Sequence, residues 1–191
     1  MERKPTWRAL LACYVVPVTS ILTVCTGNIC RSPAAELLLA QAFGPQAVVT
    51  SAGTHAMVGH GIPAPMLRCL AADGVDGRGH VARQFTAALA RDADLIICMT
   101  ARHRMWCVGE APFALKRTVL LSELAAAAVT GAPLTDGIAG LADATLQFRL
   151  TLAGRSTADV PDPYGGPQSE YDESYGIIRS AVDEIASWVA A

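Results

Sequence analysis

Several patterns that would assign a function are missing from this sequence of 191 residues. None of the six cysteines belongs to a C-x-x-C pair or to the ligand spacing of a zinc site, and the four histidines are scattered. His103 and Cys107 stand one helical turn apart, but two ligands do not make a metal site, so we interpret both as ordinary core residues. No run of lysine and arginine occurs and the net charge is −2, which argues against nucleic acid as a partner.

A membrane span is also missing, although the N-terminus imitates one. Basic residues precede residues 9–30, which contain no charge, as in a signal peptide. The second half of that stretch is typical of a core strand, and the remainder contains Pro17 and is shorter than the roughly 20 residues that cross a bilayer. We expect residues 1–17 to be an extension outside a domain of residues 18–191, in a cytoplasmic protein with reduced cysteines. A secreted form is the alternative.

What is present is a composition that can fold. Charged residues make up only 17 % of the chain and hydrophobic residues 52 %, so a sizeable core can be buried. The length suits one domain.

The clearest chemistry lies in residues 25–33, CTGNICRSP, between a β-branched run and an apolar helical pattern. On such a strand-to-helix turn the backbone amides of residues 26–31 can point at a small anion, and the helix adds the positive end of its dipole. Gly27 and Asn28 tolerate the left-handed backbone of a tight ring, and Pro33 suits the first helical position. The pattern therefore predicts a phosphate-binding loop.

Cys25 and Arg31 give this loop a reaction as well as a ligand. Backbone amides, a helix N-terminus and an arginine favour the thiolate form of a cysteine, which is a nucleophile. The planar guanidinium of Arg31 matches two oxygens of a phosphoryl group. A cysteine at the end of a buried strand is more often a small hydrophobe, so it is the combination with Gly-Asn and Arg-Ser-Pro that favours a nucleophile.

Strand-like and helix-like segments alternate along the chain. We predict strands over residues 20–25, 47–51, 94–99 and 118–121, and helices over residues 33–43, 65–72, 87–91, 101–109, 123–129, 139–153 and 168–189. Thr86 and Ser122 are the predicted N-caps of the third and fifth helices, and Glu36 is placed in the first turn of the first. Alternation of this kind predicts an α/β three-layer sandwich, a four-stranded parallel sheet with helices on both faces, in which Cys25 lies at a carboxyl end where ligands bind.

Asp162 is our candidate for the acid that protonates a leaving oxygen. Pro161 and Pro163 stiffen its backbone, and two glycines after them let the segment turn back. We expect Tyr164 to line the entrance to the phosphate-binding site, the substrate mouth, and to contact an aromatic leaving group there. A turn of this composition is common, so only its partnership with the cysteine loop indicates a function. On composition alone its rivals are Asp136, Asp143 and Asp159.

The cysteine loop resembles the phosphate loop of the low-molecular-weight protein tyrosine phosphatases. Four further segments are similar to that family in the same order: residues 51–53 (SAG), 79–84 (GHVARQ), 94–99 (DLIICM) and 162–165 (DPYG). The resemblance extends from about residue 21 to residue 188. It implies a protein tyrosine phosphatase that needs no cofactor or metal and acts on a phosphotyrosine protein, with a bacterial tyrosine kinase as one candidate partner.

The resemblance also implies roles for individual residues. Cys25 is the nucleophile, Arg31 binds phosphate, and Asp162 is general acid and then general base. The phosphate loop consists of Thr26, Gly27, Asn28, Ile29, Cys30 and Arg31. The supporting residues are Ser32, which hydrogen-bonds the thiolate, and Ser51 and His80, which hold Asn28. Cys30 matches a second loop cysteine that can form a disulfide with the nucleophile on oxidation.

The substrate mouth departs from many members of the family. Ala56 and Met57 stand where those members carry a large aromatic residue, which is similar to a bacterial branch with an aliphatic substrate loop. Gly165 takes the place of a second tyrosine after Tyr164. We therefore expect a more open and less aromatic mouth.

Three alternatives stay open. Protein arginine phosphatases share the loop but carry threonine at the position of Ile29. Thioredoxin-coupled arsenate reductases need two further cysteines, for which Cys98 and Cys107 are candidates. We predict Cys98 in a core strand and Cys107 in the helix that follows it, and neither place is a mobile segment. The third alternative is an inactive module that only binds phosphate.

Overall fold

The computed structural model describes residues 18–152 and 157–191, so the predicted extension of residues 1–17 lies outside the described residues. The strands are β1 (Thr19–Cys25), β2 (Ala47–Gly53), β3 (Leu95–Cys98) and β4 (Thr118–Leu120). They form one parallel sheet in the order β2-β1-β3-β4. This confirms the four-stranded parallel sheet that the sequence predicts.

The helices lie on both faces of the sheet. They are α1 (Arg31–Phe43), α2 (Ala64–Ala72), α3 (Ala87–Asp92), α4 (Ala101–Glu110), α5 (Leu121–Val129), α6 (Leu141–Thr151) and α7 (Gln168–Ala190). Alternate residues of β3 point to opposite faces: Ile97 joins a core with α1, α5 and α7, whereas Ile96 joins a second core with α3 and α4. The predicted three-layer α/β sandwich is therefore confirmed.

Two helix starts differ from the prediction. α1 begins at Arg31 instead of Pro33, because the phosphate loop itself supplies the N-cap at Cys30. Glu36 consequently lies in the second turn of α1, beyond the reach of the helix N-terminus. α5 begins at Leu121, and its first free amide, that of Leu120, donates to the Glu123 carboxylate at 2.9 Å, so Ser122 is not the cap.

The remaining predicted elements agree with the structure to within a few residues. The predicted cap Thr86 accepts a hydrogen bond from the Leu89 amide at 3.2 Å. α6 begins two residues later than predicted because residues 137–140 form a 3-10 turn ahead of it, and residue 153, the predicted end, lies outside the described residues. Among the described residues, no helix combines the length and the apolar character that a membrane crossing requires.

The sheet brings separate parts of the sequence to one edge. The carboxyl ends of β1, β2 and β3 lie side by side there, because parallel strands run in the same direction. The segment that leads into α7 crosses the same edge, where the Val160 amide donates to the Met99 carbonyl at 3.0 Å. Cys25 and Asp162 therefore meet although 136 residues separate them in the sequence.

Candidate active site

The phosphate loop is held by its carbonyl groups. The carbonyls of Cys25, Thr26 and Gly27 accept hydrogen bonds of 2.9, 3.0 and 2.9 Å from the amides of residues 54, 55 and 57, in the loop after β2. In a trans peptide the N–H points away from the carbonyl, so the next amide of each pair faces the other way, into the loop. The backbone therefore forms the nest of donors that an oxyanion requires.

Gly53 allows the two loops to approach this closely. A Cβ on Gly53 would clash with the Thr26 carbonyl oxygen and would crowd Ala56. Its own amide and carbonyl pair with the backbone of residues 83 and 85, and the Gln84 side chain binds the Thr54 carbonyl and the Ala56 amide, both at 2.9 Å. Residues 51–53 and 79–84, two of the segments that resemble the phosphatase family, therefore have a common structural role: both support the phosphate loop.

Asn28 is the centre of that support. It is fully buried and has a left-handed backbone with φ of 56°. Its amide nitrogen donates to Ser51 Oγ at 2.7 Å and to Ser32 Oγ at 3.0 Å, its side-chain oxygen accepts from the Arg83 amide at 2.8 Å, and His80 Nε2 donates to its carbonyl at 2.7 Å. The structure thus brings Ser32, Ser51 and His80 around Asn28.

Glu36 completes this network, and sequence reasoning missed its role. Ser51 Oγ donates to Glu36 Oε2, and His80 Nδ1 lies 3.8 Å from the same oxygen. The sequence predicts that this carboxylate interacts with the helix dipole, whereas in the structure it contacts the two side chains that hold Asn28. Only the spacing of four residues after Ser32 could have hinted at this, since residues four apart share one face of an α-helix and Ser32 faces Asn28.

Cys25 is buried, with 2 % of its surface exposed, and its Sγ lies 3.0 Å from Ser32 Oγ. Ser32 Oγ already accepts a hydrogen bond from the Asn28 side chain, so its own hydroxyl hydrogen can be directed at the sulfur. A hydroxyl donor of this kind stabilises a thiolate. The arrangement can therefore hold a sulfur nucleophile at the floor of the loop.

Arg31 lies beside this sulfur and reaches the Asp162 loop. It is 4 % exposed, its Nη2 lies 2.6 Å from Asp162 Oδ2, and its Nη1 donates to the Val160 carbonyl at 3.2 Å. Arg31 Nε is buried and has no hydrogen-bond partner among the described residues. Buried N–H groups are rarely left unpaired, so this one is a donor available to an anion.

Asp162 is the carboxylate that the structure brings to the loop, and its rivals lie elsewhere. Asp159 accepts a hydrogen bond from the Ala101 amide at 2.8 Å and so caps α4. Asp136 and Asp143 line a cavity beside Thr19, at the opposite end of the sheet. Pro161 is fixed to α7 through its carbonyl, which accepts from Ser174 Oγ at 3.1 Å.

The site opens into a cavity of about 170 Å³. Met57 and Tyr164 line it, but Ala56 does not, because its amide is tied to Gln84 and its side chain lies against Gly53. His55 lines the cavity instead, and its ring packs against Trp106 at 5.8 Å between ring centroids. The mouth is consequently more aromatic than the sequence indicates.

The three other cysteines for which the sequence suggests a role lie in two places. Cys30 is 3 % exposed, and burial, together with nearby Cys25 and Asp162, raises the pKa of its thiol to about 12, so it is protonated at neutral pH. Cys98 on β3 and Cys107 on α4 are buried in the second core, and burial, together with the hydrogen bond that the Cys98 thiol donates to Cys107, raises the pKa of Cys98. Neither Cys98 nor Cys107 lines the cavity at Cys25.

Comparison with known proteins gives the family. The model of the low molecular weight phosphotyrosine protein phosphatases matches residues 20–132. The phosphatase Etp of Escherichia coli K12 is 32 % identical over 167 residues, which are 87 % of this chain and 92 % of Etp.

Solved structures agree. Vibrio vulnificus Wzb in complex with benzylphosphonate has a TM-score of 0.68 and 27 % identity, over 89 % of this chain and 98 % of that one. The YwlE arginine phosphatase from Geobacillus stearothermophilus has the same TM-score at 26 % identity, over 88 % and 91 %. With the ordered motifs and the geometry of the cysteine loop, these matches show that the chain belongs to the low molecular weight phosphotyrosine protein phosphatase family and is a phosphatase.

Proposed function

We propose that this enzyme hydrolyses phosphotyrosine in proteins through a cysteinyl-phosphate on Cys25. The observation that carries the proposal is the convergence of three groups on one cavity: the Cys25 sulfur, the Arg31 guanidinium and the Asp162 carboxylate. A nucleophile, an oxyanion site and an acid are what transfer of a phosphoryl group to sulfur requires.

The first step forms the S–P bond and breaks the P–O bond to tyrosine. Cys25 Sγ attacks phosphorus while the three phosphoryl oxygens are held by the loop amides and by Arg31. The tyrosine oxygen leaves with the proton of Asp162, so no tyrosinate accumulates. Ser32 stabilises the sulfur before attack, since its hydroxyl lies 3.0 Å from Sγ.

The second step reverses the proton traffic. Water attacks phosphorus and loses its proton to the Asp162 carboxylate, the S–P bond breaks, and Cys25 returns to thiolate as phosphate leaves. Arg31 and the backbone amides supply the positive charge in both steps, so we expect turnover to continue in the presence of a chelator.

The apolar wall of the cavity favours tyrosine over arginine as the leaving group. Ile29 and Met57 both line it, and Ile29 packs over Gly27. A phosphorylated guanidinium carries N–H donors that need acceptors, which neither side chain has. The similarity to an arginine phosphatase keeps phosphoarginine as the second candidate substrate.

The partner and the compartment follow from the same proposal. The Vibrio vulnificus Wzb structure contains bound benzylphosphonate, which supports an aryl phosphate as the substrate of this enzyme. A bacterial tyrosine kinase is a candidate for the phosphoprotein that carries it. A cytoplasmic location is supported by the described cysteines, which are all free and buried.

A series of aryl phosphates with increasingly poor leaving groups tests the role of Asp162. Asp162→Asn should slow the poor leaving groups most, because these depend on protonation. Asp159→Asn is the matched control, since Asp159 caps α4 and should leave the dependence on the leaving group unchanged. Equal losses across the series in Asp162→Asn would remove Asp162 as the acid. Phosphotyrosine, phosphoarginine and arsenate with thioredoxin, assayed in parallel, separate the alternative enzymes.

A further inference from the structure

His103 is a buried titratable residue that touches the phosphate loop and that the mechanism above leaves unused. It is the third residue of α4 and is 4 % exposed. Its Nε2 lies 2.9 Å from the hydroxyl of Thr26, the residue after the nucleophile, and its Nδ1 lies 2.9 Å from the hydroxyl of Thr100. Both ring nitrogens are therefore engaged by threonine hydroxyls.

His103 is neutral at neutral pH. Burial lowers its pKa to about 4, the charge of Arg31 adds to this effect, and the carboxylates of Asp162 and Asp159 oppose it. A neutral imidazole has one nitrogen that donates and one that accepts. The direction of the two hydrogen bonds is then fixed by whichever threonine must donate.

The contacts of Thr100 decide that direction. Its Oγ1 already accepts a hydrogen bond from the His103 amide at 3.2 Å, as an N-cap does. Within the described residues, the only acceptor that its own hydroxyl proton reaches is His103 Nδ1. Nε2 then carries the hydrogen and donates to Thr26 Oγ1, which leaves the hydroxyl proton of Thr26 free.

Thr26 is placed to use that proton. It lines the cavity above Cys25, and its backbone is fixed because its carbonyl accepts from the His55 amide at 3.0 Å. We propose that the Thr26 hydroxyl donates a hydrogen bond to the bound phosphoryl group and that neutral His103 is the positioning residue that orients it. This inference rests on the proposed function, since it requires phosphate to bind in the Cys25 loop.

The test uses the binding of inorganic phosphate, measured by calorimetry, and turnover of an aryl phosphate. Thr26→Val keeps the shape and removes the hydroxyl, so we expect a phosphate dissociation constant about tenfold higher and a lower kcat/KM. Thr26→Ser retains the hydroxyl and should restore both. His103→Phe should weaken phosphate binding in the same direction.

A double-variant cycle separates orientation from simple packing. If His103 acts through Thr26, then His103→Phe should add little to the effect of Thr26→Val, whereas independent structural damage would add fully. Unchanged or tighter phosphate binding in Thr26→Val would overturn the inference, because it would mean that Thr26 presents an oxygen and not a proton. Calorimetry keeps the two proposals apart: a wild-type chain that binds phosphate without turning over a substrate refutes the catalytic proposal alone.

Discussion

Replacing Asn28 with alanine should damage stability and catalysis together. The Asn28 side chain is fully buried and makes three hydrogen bonds, to Ser51, Ser32 and the Arg83 amide. Each of the two bonds to the serines contributes about 1 kcal/mol, and leaving the partly buried Arg83 N–H unpaired costs about 1 kcal/mol more. The left-handed backbone at φ of 56° adds about 1 kcal/mol for a residue without a short polar side chain. We therefore expect Asn28→Ala to lower the free energy of unfolding by about 4 kcal/mol.

Catalysis should fall further than stability alone explains. Without the Asn28 amide, the Ser32 hydroxyl is no longer oriented towards Cys25, and the nest of amides loses its shape. We expect kcat/KM at a temperature where the variant is folded to drop by about 100-fold or more, the scale of losing an oxyanion-site donor. Urea unfolding gives the stability, and an aryl phosphate assay gives the rate.

The chain offers a matched control for the backbone term. Asp136 is the other described non-glycine residue with a positive φ, at 65°, but it is exposed and makes no side-chain cap to the turn that follows. Asp136→Ala should cost only about 1 kcal/mol. Asn28→Gly should recover the backbone term and none of the hydrogen bonds. If Asn28→Ala lost no more stability than Asp136→Ala and kept its kcat/KM, the account of the loop would be wrong.

Three further changes probe the scaffold. Gly53→Ala should abolish activity and destabilise the fold, because the added Cβ meets the Thr26 carbonyl. Gly109→Ala in α4, where an added Cβ meets nothing, should stabilise the fold by about 0.5–1 kcal/mol. If the two variants changed the unfolding free energy and kcat equally, this explanation would be contradicted. Glu123→Gln should lower stability by about 3 kcal/mol at pH 7, because the carboxylate is buried between Arg104 and Arg149. Burial raises the pKa of Glu123, but hydrogen bonds from Arg149 and the Leu120 amide, together with the charge of Arg104, outweigh burial and leave the pKa lowered. The difference in free energy of unfolding between wild type and Glu123→Gln should therefore shrink as the pH falls below the pKa of a free glutamate. A difference that grows on acidification would contradict this. Because the pKa of His103 is lowered to about 4, the unfolded chain binds a proton between pH 6.5 and 4 that the folded chain does not bind. Between these pH values the wild type should lose up to about 3 kcal/mol of its free energy of unfolding, and His103→Gln should not show this loss. Parallel plots of unfolding free energy against pH for the two proteins would refute this.

Local pattern was enough to predict the parts of the site that lie close together in the sequence. The spacing of Cys25, Asn28 and Arg31 on a strand-to-helix turn leaves the backbone few other shapes, and the structure has the loop that this spacing predicts. The parallel sheet was equally predictable, because the apolar strands alternate with helical patterns along the chain.

Parts of the site that depend on tertiary position could not be predicted in the same way. Glu36 and His103 carry ordinary helical patterns, and only the packing of α1 and α4 against the loop reveals that they contact Ser51 and Thr26. His55 and Ala56 are neighbours, and the choice between them at the mouth depends on the hydrogen bond from Ala56 to Gln84. The sequence alone does not indicate which residues of two separate loops contact each other.

The most direct test of the account is to find where phosphate resides during turnover. The wild-type enzyme is quenched with acid while it hydrolyses a labelled phosphotyrosine peptide, and the label is mapped by mass spectrometry. We predict phosphate on the sulfur of Cys25, and we predict that Cys30→Ala keeps this label, since Cys30 is a protonated thiol. Turnover without a phosphorylated cysteine, or a label on any residue other than Cys25, would contradict the account.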